Sequence, residues 1–75
     1  MTHASKILRE HAETLLSSKL QRRSAVNQML AAIGSDDPDW RVHQNRVAEA
    51  TGAMLAAVDG ILVVVDVYFK ENDHA

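Results

Sequence analysis

The sequence predicts an all-α protein, an antiparallel hairpin of two long helices. Three observations carry this expectation: one cluster of turn-forming residues in mid-chain, flanks of nearly equal length, and a heptad repeat in the second flank. The cluster is Ile33-Gly34-Ser35-Asp36-Asp37-Pro38-Asp39-Trp40. Gly34 suits the left-handed residue that closes a helix, Asp37 can cap the next one, and Pro38 fits a first helical position, where its missing N–H costs nothing. Asp39 then falls in the positive first turn. The expected layout is a single domain over residues 1–75, with helix 1 over about 3–33, a turn at 34–37 and helix 2 over about 38–72. At 1.5 Å per residue each flank makes a rod of roughly 45 to 50 Å, and equal rods joined by a short turn pack antiparallel.

Helix 2 carries the clearest period. With Trp40 at heptad position a, the a and d columns hold Trp40, His43, Val47, Ala50, Met54, Ala57, Ile61, Val64 and Tyr68, of which only His43 is polar. The outermost column holds Asn45, Gly52, Asp59, Asp66 and Asp73, so both carboxylates that interrupt the apolar run share one outward stripe. A strand over Ile61–Phe69 is the competing reading, because that run is β-branched and aromatic. Helix 1 is less regular: Ile7, Leu8, Ala12, Leu15, Leu16, Leu20, Val26, Met29, Leu30 and Ile33 form a stripe broken at Gln21-Arg22-Arg23-Ser24. A turn centred near Asp36 sets Ile33 beside Trp40, Val26 near Val47 and Leu8 near Val64. It also sets Arg23 opposite Glu49 and Lys6 opposite Asp66. The expected hairpin core is therefore Leu8, Leu15, Val26 and Ile33 against Trp40, Val47, Met54, Ile61 and Tyr68.

Composition narrows the function classes. Apolar residues make up 47% of the chain and charged ones 24%, a globular balance. The net charge of −2 argues for neither a nucleic-acid nor a membrane-surface protein, although residues 1–33 carry five basic and two acidic side chains while residues 34–75 carry three and eight. The absence of cysteine excludes disulfides and thiolate metal sites. The amino terminus shows no apolar signal core, and the apolar run Ala53–Phe69 is shorter than the about 20 residues a spanning helix needs and holds two carboxylates, so the expectation is a cytoplasmic protein without membrane insertion. A domain this small buries only about 60% of its unfolded surface, so it needs very regular packing or a partner.

The functional pointer is an excess of apolar surface. Leu55, Val58, Leu62, Val65 and Phe69 form a second stripe beside the a/d seam, and one opposing helix cannot cover both. At about 1.5 to 3 kcal/mol for each large side chain left wet, that stripe forgoes about 8 to 15 kcal/mol, comparable with a domain's whole stability. It is the expected partner-binding surface. Self-association into a four-helix bundle and docking on a helical partner both satisfy the argument.

A short helical hairpin with Asp37-Pro38 just before the aromatic Trp40, ending in Gly60-Ile-Leu-Val-Val-Val-Asp-Val-Tyr-Phe-Lys-Glu-Asn72, resembles the small E-type co-chaperones of type III secretion needles, the YscE/SsaE-like group. The resemblance covers nearly the whole chain and rests on length, turn and ending. It implies a cytoplasmic hairpin that binds a tetratricopeptide-repeat chaperone, the pair keeping the needle subunit unpolymerised. Gly52 and Gly60 depart from it; each costs about 1 kcal/mol against Ala inside a helix and requires close packing or a bend.

The remaining motifs point to no chemistry. His3, His11, His43 and His74 lack ligand spacing, so neither a metal nor a cofactor is expected. Lys19, Arg22 and Arg23 could meet phosphate, but a basic trio on a helix ordinarily serves solubility. No cysteine nucleophile or Gly-rich phosphate loop is present, and two helices hardly enclose a pocket, so no enzyme is expected. Asp59 and Asp66 lie a heptad apart, about 10.5 Å along the axis, too far to act as a carboxylate pair. Trp40 is similar to the aromatic of the hairpins exported by type VII secretion, but Val42 stands where those have Gly. Two readings result: a co-chaperone or adaptor subunit, and a self-assembling structural or regulatory hairpin without an obligate partner.

Overall fold

The computed structural model describes residues 2–69, with side chains described from His3 onward. Helix α1 spans Thr2–Gly34, helix α2 spans Trp40–Val64, and a π-helical turn continues it over Val65–Phe69. No strand occurs among the described residues, so the run from Ile61 to Phe69 stays helical. The end expected for helix 2 at residue 72, together with His74, lies outside the described residues. The two helices pack along each other as an antiparallel hairpin measuring 60 × 17 × 13 Å. Its radius of gyration is 17.1 Å, where a globular chain of this length has about 11 Å.

The turn is built differently from the sequence expectation. Gly34 is still helical and no glycine has positive φ; the left-handed residue is Asp36, with φ 56°. The amide of Asp37 donates to the Ala32 carbonyl (2.8 Å) and that of Asp36 to the Ile33 carbonyl (3.1 Å). This pair of bonds is a Schellman closure, and it moves the left-handed position two residues past Gly34. Asp37 does not cap α2, whose N-cap is Asp39 two residues on; its Oδ1 accepts from the Asp39 amide (3.0 Å) within the turn, and the Trp40 amide donates to the Asp37 carbonyl (3.3 Å). Pro38 and Asp39 therefore lie in a turn ahead of α2, and Asp39 at its N-cap makes no side-chain cap bond.

The seam is made of small residues. Its buried members are Ala4, Ser18, Ala25 and Ala32 on α1 and Ala50, Ala57 and Val64 on α2, with Ala25 only 1% exposed. Leu8, His11, Leu15 and Met29 alternate with them on α1, and Trp40, His43, Val47, Met54 and Ile61 on α2; all are half-buried. No large side chain among the described residues is fully buried. The core set expected from sequence thus holds for Leu8, Leu15, Val26, Trp40, Val47, Met54 and Ile61 only as half-buried flanks. Ile33 and Tyr68 depart from it, at 48% and 41% exposure. Ile33 is displaced because the α1 seam steps through Ala25, Met29 and Ala32, one position away. Tyr68 is displaced because the π turn inserts about one extra residue per turn, carrying Phe69 toward the seam in its place.

The register agrees with the expected one. Arg22 meets Thr51, Gln28 meets Arg46 and His11 meets Gly60, pairs whose numbers sum to 73, 74 and 71. The ion pairs expected between Arg23 and Glu49 and between Lys6 and Asp66 do not form among the described residues. Gly60 has its reason: a Cβ there would lie 2.6 Å from the His11 ring. Gly52 has none, since a Cβ would meet nothing within 4 Å.

Two stability predictions follow from this geometry. Gly52→Ala is expected to raise unfolding free energy by about 1 kcal/mol, whereas the effect of Gly60→Ala depends on position 11, with at least about 0.5 kcal/mol of coupling in a double-mutant cycle with His11→Ala. Thermal melts followed by circular dichroism test this, and additivity would show that the imidazole does not sit on Gly60. Asp36→Gly is expected to stabilise by about 0.5 to 1 kcal/mol, read as a midpoint several degrees higher, by relieving an L-residue of left-handed backbone.

Candidate interaction surface

Because the helices meet along a single seam, the hairpin has two long faces, and cross-helix contacts mark each. On one face Arg46 bonds Gln28 and also meets His43 Nδ1 at 3.3 Å. Its α1 half is polar, with Glu10, Glu13, Thr14, Ser17 and Gln21 bordering one hollow; on its α2 half Arg46 and Glu49 border a second hollow with Gln21, and Val42 and Val63, in the heptad column of Glu49, are exposed.

On the opposite face the Nε of Arg22 donates to Thr51 Oγ1 (3.0 Å), and Thr51 Oγ1 donates to the Val47 carbonyl (2.8 Å). Heptad steps from Thr51 lead to Val58 and Val65, and the neighbouring column holds Leu55 and Leu62. All are exposed, Leu55 at 62% and Leu62 at 55%. Helix α1 contributes to the same face. Lys19 and Val26 line a recess there with Leu16, Leu20, Arg22, Arg23, Asn27 and Met54, and heptad steps continue to Leu30 and Ile33. Leu16, Leu20, Leu30 and Ile33 are exposed. The second stripe expected on α2 is therefore present as exposed side chains, except that Phe69 is half-buried by the π turn.

The α1 half of this face was missed because the sequence reading drew the aliphatics of α1 as one stripe, committing Val26 and Ile33 to the core and giving Leu16, Leu20 and Leu30 no face of their own. The available signal was the heptad column Ala4, His11, Ser18, Ala25, Ala32. Small residues at heptad spacing occupy the seam, which leaves Leu16, Leu30 and Ile33 outside it.

The total exposed area is 5718 Å², against about 4,600 Å² for a compact monomer of this mass. The difference is comparable with the about 800 Å² that one partner contributes to an ordinary interface. Trp40–Phe69 is also long and apolar enough to cross a membrane by length and composition, with a window of mean hydropathy 1.9 that is 11% buried. Among the described residues no three His, Asp or Glu side chains are grouped to hold a metal ion.

The chain matches no family model, no curated protein and no solved structure.

Since Leu55 and Leu62 contribute to no packed interior, replacing both by Gln is expected to change stability by no more than about 0.5 kcal/mol each. Binding of an apolar dye such as anilinonaphthalene sulfonate should fall markedly. A large drop in melting temperature would instead place these side chains in the core.

Proposed function

We propose that this chain is a non-enzymatic protein–protein interaction subunit that docks a helical partner against the exposed apolar face of α2. The observation that supports this is the contrast between the seam and that face. The seam consumes alanines and half-buries the larger residues, while Leu55, Val58, Leu62 and Val65 stay in water. Contiguous apolar surface of this extent left outside the packed seam marks an association site.

The finer reading follows the sequence resemblance: a cytoplasmic type III secretion co-chaperone that, with a tetratricopeptide-repeat chaperone, keeps a needle subunit unpolymerised. Its support is the hairpin length, the Asp37-Pro38…Trp40 turn and the aliphatic-aromatic ending.

Leu55→Asp with Leu62→Asp is the test, and it leaves the half-buried Phe69 untouched. The double variant is expected to lose co-purification with the partner while helical circular dichroism is retained, and an undiminished complex would exclude the face. Sedimentation of the isolated chain across micromolar concentrations separates the alternative, a self-assembling hairpin, for which a dimer or tetramer resistant to dilution is expected.

A further inference from the structure

The cations of α1 stand within the apolar face. Lys19, Arg22 and Arg23 border a recess of about 430 Å³, with Leu16 and Val26 beside them and Met54 contributed by α2. Arg22 is held in place through Thr51, whose hydroxyl is itself tied to the α2 backbone, so one guanidinium N–H is committed and the others are left for a ligand. None of the three cations has an acidic partner among the described residues. The carboxylates lie elsewhere: Glu10 and Glu13 border the hollow on the polar side, Glu49 stands beside Arg46, and Asp59 and Asp66 share the outermost column of α2.

We propose that this face binds an amphipathic α-helix of a partner protein whose apolar stripe is flanked by carboxylates, an aliphatic side chain entering the recess and acidic residues meeting Lys19, Arg22 and Arg23. The inference rests on the docking function above and adds the partner's chemistry. Two helices running side by side present a groove along their length, and a third helix fills it with apolar contacts at every turn. Charge selects the occupant. A second copy related by a twofold axis near mid-hairpin would bring the basic trio against its own image, and like charges disfavour that pairing. A bilayer suits a convex apolar face with cations at its rim; here the cations border a concavity together with Asn27 and apolar side chains.

Two designed three-heptad helical peptides with the same leucine stripe, one flanked by Glu and the other by Lys, are the probes, their binding to the full chain read by fluorescence anisotropy. The Glu peptide is expected to bind about tenfold tighter at low ionic strength, as several exposed ion pairs together allow, with the preference shrinking near 0.5 M salt. Lys19→Glu with Arg22→Glu and Arg23→Glu should invert the preference, and the milder triple change to Gln should abolish it, with circular dichroism unchanged in both. Leu62→Gln, which removes apolar contact without adding charge, should weaken both peptides alike.

Equal affinity for the two peptides, each weakened by Leu62→Gln, would overturn the charge assignment while leaving the docking function standing. Binding of neither peptide would overturn both. Sedimentation with vesicles containing about 30% phosphatidylserine, lost on charge reversal and unaccompanied by any peptide preference, would assign the face to lipid and overturn the proposal.

Discussion

Everything in this hairpin depends on a seam of small side chains between two rods. Alanine at Ala4, Ala25, Ala32, Ala50 and Ala57 buries little area per residue, so the helices gain stability from proximity and repetition more than from bulk. Larger residues flanking the seam, such as Leu8, Leu15, Met54 and Ile61, are shielded on one side only. With no third layer, the burial available from one seam is limited, and the excess of leucine and valine collects on the outside. The elongated shape and the bare apolar face are therefore consequences of a single packing choice.

How much of this was legible in the sequence depended on the helix. In α2 the a/d column could be read directly, because large and small members alternate from Trp40 to Val64 and the carboxylates Asp59 and Asp66 mark the opposite side. In α1 the same method went astray: weighting by size put Ile33 in the core and drew Leu16 and Leu30 into the same stripe, whereas the fully buried residues facing α2 are alanines and a serine, flanked by Leu8, His11, Leu15 and Met29. Hydrophobic size is a poor guide where close approach of two backbones is the organising requirement.

The turn and the ending show two other limits. The glycine preference for left-handed backbone suggested Gly34, but the Schellman bonds from Asp36 and Asp37 let α1 run on and place the strained residue at Asp36. At the far end, strict heptad counting failed at the π turn, where the β-branched residues Val63, Val64, Val65 and Val67 crowd the helix. The phase change exposes Tyr68 and draws Phe69 inwards. A period carries no information about a local change of pitch, so this exchange was invisible in the letters. The exposed stripe on α2 was legible because it follows from counting columns; the cations bordering it on α1 were visible as a trio but not as part of the same face.

The contact between His11 and Gly60 has a consequence for alignment. A column of alanines recurring every heptad is nearly indifferent to translation: sliding one rod by seven residues would set alanine against alanine again. The imidazole is not indifferent, because the corresponding places one heptad away on α2 are Ala53 and Val67, whose β-carbons deny the ring the room it finds over bare backbone. That notch acts as a vernier mark, reinforcing the one alignment that the short turn and the Arg22–Thr51 and Gln28–Arg46 contacts also impose.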